Sequence, residues 1–450
     1  MNTMMQAFAK TRLSMAVLFS VMLLAAAAVP ASGEVKIQKV TSDSGVTAWL
    51  VENYSVPIIA INFAFEGGSA QDPAGKEGLA ELMTGLFDEG AGDLDSEAFQ
   101  VRLDDAGAEM RFNAGRDSVS GSMRMLAENK EEAFDLLRLA VEQPRFDAAP
   151  IARIRAQMIS GIVAGQRDPE TAARTKWSEA LYGDHPYARP DEGTEKSLSA
   201  ISADDLHAYH KAVFAREKLH VAIVGAIDAA TVKLQLDKVF GNLPEKPSLK
   251  PVADVDWKLG QDVSVDYDLP QTSLQLAFPG VARDAPDFFA AYLMNHILGG
   301  GTFSSRLFEE VREKRGLAYG ATSSLVTHDH ASGLVIQTAT RSDRAAETLE
   351  VMRDVIQRMA QEGPTAEELA AAKKFIIGSY ALNALNSSGA IASTLLALQM
   401  DGLGIDYIQD RVALINDVTL DEVKAAARKL LTAQPSVLVV GPPLADGSKG

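Results

Sequence analysis

Arg312 and Tyr319 stand close together in the run GGGTFSSRLFEEVREKRGLAYG, residues 299–320, and pair two side chains well suited to gripping a peptide carbonyl. A guanidinium donates parallel N–H groups in a rigid fork, and a phenol donates one more hydrogen bond. Aimed at the polarised carbonyl of a bound peptide, the pair would stabilise developing oxyanion charge. The same residues also have a plain structural use. On a helix over 305–316, Arg312 could pair with Glu309 or Glu313 on a solvated face, and Tyr319 could bury its ring in a strand. Just upstream, Gly299, Gly300 and Gly301 carry no side chains, so a loop there can approach another backbone closely. The alternative is a helix C-cap and a turn, with Thr302 or Ser304 capping the next helix.

Other chemistries find little support. His207 and His210 have a spacing that could ligate a metal, but Leu206, Tyr209 and Phe214 make theirs an ordinary amphipathic helix. His328 and His330 flank Asp329 at a predicted turn and are expected in solvent, His296 is expected to pack or cap, and His185 precedes Pro186 in a loop. Gly75-Lys76 falls short of a phosphate loop, with Ala70 in place of the first glycine and Glu77 in place of Ser or Thr. Asp88-Glu89 and Asp104-Asp105 are neighbours in sequence, so their carboxylates point apart. With no cysteine, disulfides, thiolate zinc sites and a cysteine nucleophile are excluded.

The chain opens with Lys10 and Arg12, then an almost wholly apolar run from Met15 to Val29, closed by Ala31, Ser32 and Gly33. That pattern predicts a cleaved signal peptide over 1–31 and a periplasmic protein, an export that also suits a cysteine-free chain. Loss of the two cations would carry the formal charge of −17 to about −19. So acidic a chain is a poor partner for nucleic acid, and after cleavage no segment is long and apolar enough to span a membrane.

The elements that must position these residues recur. VPIIAINFAFEGG (56–68) precedes a helix from Gly78 to Leu86, and TSLQLAFPG (272–280) precedes one from Pro286 to Leu298. EEAFDLLRLAVEQ (131–143) matches AETLEVMRDVIQRMAQ (346–361), and each half closes with a helix and an apolar strand. The boundary falls in LPEKPSLKPVAD (243–254). The prediction is an α+β fold of two homologous domains, 34–243 and 255–443, joined by a proline-rich linker at 244–254 and followed by a tail at 444–450. Each would be a mainly antiparallel sheet with helices on one face, the two facing each other across a cleft as a clam-shell.

The strand ending EGGSAQDPAGKEG and the helix GLAELMTGLFDEG (78–90), together with residues 299–320, resemble the pitrilysin, insulinase and mitochondrial processing peptidase family of zinc peptidases. In that family the helix carries H-x-x-E-H, two histidines for zinc and a glutamate for the metal-bound water. Here the matching positions are Glu81, Thr84 and Gly85, and the third-ligand position falls near Ser160 or Gly161, where no carboxylate stands. The resemblance therefore implies a non-catalytic subunit with no metal of its own. Zinc would belong to an H-x-x-E-H-bearing sister subunit, and Arg312 and Tyr319 would reach across to that partner's peptide substrate. It also implies a substrate-presenting role for Gly299–Gly301 and a peptide-binding sheet edge near Phe65 to Ser69. A homodimeric peptide-binding or scaffold protein with no part in hydrolysis is the alternative.

Overall fold

A computed structural model describes residues 36–444; the predicted signal peptide lies outside them, as do all but the first residue of the predicted tail. Two mixed, mainly antiparallel sheets organise the chain. The first is built from β1 (Gln38–Thr41), β2 (Thr47–Glu52), β3 (Ile58–Glu66), β6 (Glu109–Ala114), β7 (Ser118–Leu126) and β8 (Leu219–Gly225), in the order β1-β2-β8-β3-β7-β6. A small ribbon of β4 (Gly90–Ala91) and β5 (Leu94–Asp95) stands apart. The second sheet is built from β9 (Asp262–Val265), β10 (Gln271–Pro279), β11 (Ala318–His328), β12 (Ala331–Arg341) and β13 (Ser436–Val440), in the order β11-β12-β10-β13-β9. No helix or strand lies between Phe240 and Asp262.

Strand β3 shows why the sheets form where they do. Ile59, Ile61, Phe63 and Phe65 alternate onto one face and are buried in the first core, where each full burial is worth roughly 1.5–3 kcal/mol. Over that face lie α1 (Leu79–Thr84), α2 (Lys130–Glu142), α3 (Ala148–Gly165), α5 (Ala203–Val213) and α6 (Ala229–Phe240). The second core repeats this with Leu274, Leu276 and Phe278 beneath α7 (Phe288–Asn295), α8 (Ala345–Glu362), α9 (Ala366–Ala384) and α11 (Leu420–Leu431). Caps start these helices. Ser202, Thr365 and Thr419 form capping boxes with the Asp or Glu three residues on.

The prediction put helices on one face of each sheet; the structure also clothes the other face, with a helix from the opposite half. Small residues make room for it. Ala60, Ala64 and Ala222 admit α10 (Ser388–Met400), whose Ser393 hydroxyl meets the Asn62 amide at 2.8 Å and whose Gln399 donates to the Val221 carbonyl at 3.0 Å. In return α4 (Pro169–Tyr182) sets Ala173, Trp177 and Leu181 against Val265, Leu438 and Val440 of the second sheet. Among the described residues no single helix is long and apolar enough to cross a membrane.

Candidate functional site

Helix α1 is anchored from below. The buried Asp72 carboxylate accepts from the backbone N–H groups of Gly78 at 2.9 Å, Leu79 at 3.1 Å and Ala80 at 3.1 Å, satisfying donors that a helix start leaves free. Burial pushes its carboxyl up to about 7, against the pull of those three N–H groups. On this helix and its C-cap the structure brings Glu81, Thr84 and Gly85 together, but they do not make a metal site. Burial, with Asp191 and Glu192 nearby, raises the Glu81 pKa. The Thr84 hydroxyl turns back to donate to the Glu81 carbonyl at 2.8 Å. A Cβ on Gly85 would meet Ile154 of α3 at 3.1 Å, so that helix crowds the position where a second histidine would start. Farther along α3, Ser160 is exposed and Gly161 has open space beside it. These donors do not fit a catalytic zinc ion, which takes three protein ligands and a water, and no group of three or more His, Cys, Asp or Glu suited to a metal occurs among the described residues.

Arg312 and Tyr319 flank a tight junction between helix and strand. Ser305 caps a short α-helical turn, Arg306–Phe308, which runs on as a π-helical turn, Glu309–Glu313. The turn closes onto β11 through Gly316 N–H to the Arg312 carbonyl and Leu317 N–H to the Val311 carbonyl, both 2.9 Å. The acids that might have occupied Arg312 are mostly engaged elsewhere. Glu309 pairs with Lys314 at 3.0 Å, Glu310 is held by Lys314 and Arg315, and Glu313 lies a loose 3.7 Å from the Arg312 Nε. The Arg312 guanidinium instead rides 4.8 Å above the Phe308 ring with its side chain 40% exposed.

Tyr319 does not bury its ring: it is 86% exposed, and its hydroxyl has no partner among the described residues. The cause is a bulge. The register of β11 against β12 slips between Ala318 and Ala321, leaving Tyr319 and Gly320 outside the ladder. Two hydroxyls from β12 hold the slipped segment, Thr340 donating to the Leu317 carbonyl at 2.7 Å and Thr338 to the Gly320 carbonyl at 2.6 Å. Sequence reasoning did not find these threonines, since their role appears only once the strands are paired. It also missed Phe303, 74% exposed and edge-on to Phe308 at 5.1 Å, whose place between the glycines and Arg312 was a usable signal.

Several expectations are corrected. Gly299–Gly301 is not a free loop: Gly299 and Gly300 belong to a π-helical turn, His296–Gly300, and Gly301 caps it. Glycine is required at 299 because a Cβ there would lie 2.5 Å from the Ser323 nitrogen of β11. The segment near Phe65 is not a sheet edge, since Phe65 pairs with both Val119 and Leu219; the free edges of the two sheets are β1, β6, β9 and β11. His328 and His330 are half-buried because the β11–β12 turn docks on the first half. His330 and Asp329 donate backbone N–H bonds to the Tyr187 hydroxyl at 3.2 Å and to Asp117 at 3.3 Å. His210, on the amphipathic helix expected there, is half-buried and bonded to the Val141 carbonyl at 2.8 Å, and its pKa is pushed down to about 4 by desolvation.

Residues 200–376 match the family model for the peptidase M16 inactive domain. The crystal structure of a peptidase M16 inactive domain from Pseudomonas fluorescens is 31% identical, covers 92% of this chain and 99% of its own, and superposes with a TM-score of 0.85. A protease structure from Helicobacter pylori, at 17% identity, shares the fold with a TM-score of 0.81, covering 90% of this chain and 99% of its own. Among curated relatives, the non-peptidase homolog YmxG of Helicobacter pylori is 26% identical over 378 residues, 83% of this chain and 86% of that protein. The uncharacterized zinc protease Rv2782c of Mycobacterium tuberculosis is 28% identical over 387 residues, 85% and 87%. The chain belongs to the peptidase M16 family. Within it, the lost zinc donors and the inactive-domain match set it among the inactive, non-peptidase members.

Proposed function

We propose that this chain is the non-catalytic, substrate-binding subunit of a periplasmic heterodimeric zinc peptidase. A sister subunit bearing H-x-x-E-H supplies the metal and the attacking water, and this chain, which carries no zinc, supplies Arg312 and Tyr319. The two halves act as a clam-shell around an extended peptide, and the predicted signal peptide delivers the chain to the periplasm. The observation that carries this reading is the presentation of the two donors. The Tyr319 hydroxyl has no partner and Arg312 only a loose one, both facing solvent, in a chain whose own helix α1 lacks zinc donors. Exposed donors of this kind would be oriented by a substrate carbonyl in the sister's site and would stabilise its oxyanion.

The test is co-purification with the sister chain and assay of peptide cleavage by each chain and by the pair. Activity should appear with the pair and fall by about 10²–10³-fold in Arg312→Ala, as for loss of one oxyanion donor, while the pair still co-purifies. Full activity of the sister alone, or a pair indifferent to Arg312→Ala and Tyr319→Phe, overturns the catalytic contribution. A scaffold that binds peptide without hydrolysis is the second reading, favoured by the non-peptidase name of the Helicobacter pylori relative. It is the result if peptide binds this chain and no partner cleaves it.

A further inference from the structure

The chain has 17 phenylalanines, and among the described residues two of them stand in the open: Phe303, 74% exposed, and Phe375, 59% exposed. Both touch the turn that leads into Arg312. Gly301 ends the π-helical turn, its N–H donating to the His296 carbonyl at 2.7 Å, and a Cβ on it would lie 3.1 Å from the His296 Nε2. The Phe375 ring of α9 lies on that same imidazole, the ring centres 5.2 Å apart and the planes 27° from parallel. Burial lowers the His296 pKa, so the plate against Phe375 is a neutral ring. Phe303 follows Gly301 by two residues. Its ring meets Phe308 edge-on at 5.1 Å, and the Arg312 guanidinium rides the same Phe308 ring at 4.8 Å.

An ion pair ties the two elements together. Arg306, three residues past Phe303, donates to both Glu368 carboxylate oxygens at 2.7 Å and to the Gly363 carbonyl at 3.0 Å. Phe375 lies seven residues beyond Glu368 on α9, on the same face and roughly 10 Å farther along. The exposed stripe continues through Gly378, which has open space beside it, to Leu382, 73% exposed. No charged residue occurs from Phe375 to Met400, in a chain of which 23% is charged. Fully burying a phenylalanine is worth roughly 1.5–3 kcal/mol, and the fold leaves that gain unused at the two positions beside its free donors. Each ring is braced on another ring, so it has little freedom to lose when a partner covers its open face.

We propose that Phe303 and Phe375 form the side-chain subsite of the peptide site at Arg312 and Tyr319. They select substrates with a large uncharged side chain, aromatic or aliphatic, beside the carbonyl that those donors hold. The inference rests on the reading of Arg312 and Tyr319 as carbonyl donors. The side chain seats against the open faces of the two rings and sheds water from all three. A glutamine or aspartate in its place would give up hydration against neutral rings for little return.

The test uses the full-length chain and four fluorescein-labelled peptides, Ser-Gly-Ser-X-Gly-Ser-Gly with Phe, Leu, Gln or Asp at X, read by fluorescence anisotropy. The Phe and Leu peptides should bind with a Kd below about 1 mM, at least about tenfold tighter than the Gln and Asp peptides. Phe303→Ser and Phe375→Ser should each cut that preference to less than about threefold with thermal unfolding unchanged, and Phe303→Leu should retain it. Arg312→Ala should weaken all four peptides alike and leave the preference in place. A preference that survives both serine variants overturns the subsite while the Arg312 dependence stands. Binding that ignores Arg312→Ala and Tyr319→Phe but depends on Phe303 and Phe375 overturns the donor reading and keeps the apolar selectivity. No binding of any peptide up to about 1 mM overturns the proposal. So does a change of oligomeric state in Phe303→Ser, which would assign the rings to a contact between copies, or Phe303-dependent binding to phosphatidylglycerol vesicles, which would assign them to a membrane.

Discussion

The Thr340 hydroxyl on β12 donates to the carbonyl of Leu317 at 2.7 Å, and so fixes the backbone immediately before the bulge that turns Tyr319 outward. Thr338 does the same for Gly320 on the other side. Thr340 is almost fully buried, so its isostere Thr340→Val leaves the Leu317 carbonyl unpaired and should cost about 1–3 kcal/mol. Urea denaturation measures the loss. A Thr338→Val, Thr340→Val double variant should also reduce partner-dependent cleavage, because the Tyr319 backbone is no longer held.

Arg312 and Tyr319 themselves should be nearly neutral for folding. Tyr319→Phe removes a hydroxyl with no partner and should stay within about 0.5 kcal/mol of wild type. Arg312→Ala loses a half-exposed cation–π contact with Phe308 and should cost no more than about 1 kcal/mol. Thermal unfolding of the two variants checks this; a large drop in Tm would make them structural residues rather than binding ones.

Asp72→Ala should be far more damaging. It strands three backbone donors at the start of α1, all in a buried setting, and a loss of at least about 2 kcal/mol is expected. Amide hydrogen exchange should locate the loosening at Leu79–Thr84, ahead of the sheet.

His210 sets an acid limit on stability. Its folded pKa of about 4 lies below the ordinary 6.5, so the unfolded chain binds the extra proton first as pH falls. The His210 contribution is therefore fully present above pH 6.5 and shrinks as pH falls toward 4, by roughly 3 kcal/mol at most. A urea-midpoint series between pH 7 and 4 should show the decline, and an NMR titration should place the His210 midpoint near 4. A midpoint close to 6.5 would refute the desolvated environment.

Rebuilding the zinc helix should fail without help from α3. The variant Glu81→His, Thr84→Glu, Gly85→His puts a side chain where Ile154 already stands 3.1 Å from the nearest possible Cβ. Calorimetry should detect little zinc binding until Ile154→Ala opens that space and Gly161→Glu adds the third ligand.

Much of this was legible in the sequence for a physical reason: periodicity encodes burial. The alternation of Ile59, Ile61, Phe63 and Phe65 gave β3, and the loss of donors at Glu81, Thr84 and Gly85 was plain from residue type. The missing information concerned pairing. Which strand is an edge depends on partners remote in sequence, so β3 was mistaken for one although β7 and β8 enclose it. Three glycines suggested freedom, whereas Gly299 is glycine because β11 presses against it. A strand residue such as Tyr319 shows its true exposure only when a bulge in the ladder is known.

The exchange of α4 and α10 between the halves has a consequence for how the chain comes into being. Asn62 meets Ser393 across 331 positions of sequence, so the first sheet stays bare on one side until most of the polypeptide has been made. Contacts so distant in sequence slow folding and leave a naked apolar sheet exposed meanwhile. What looks like a gene copied in tandem is, in maturation, a single knot of mutual dependence: neither copy finishes before its twin.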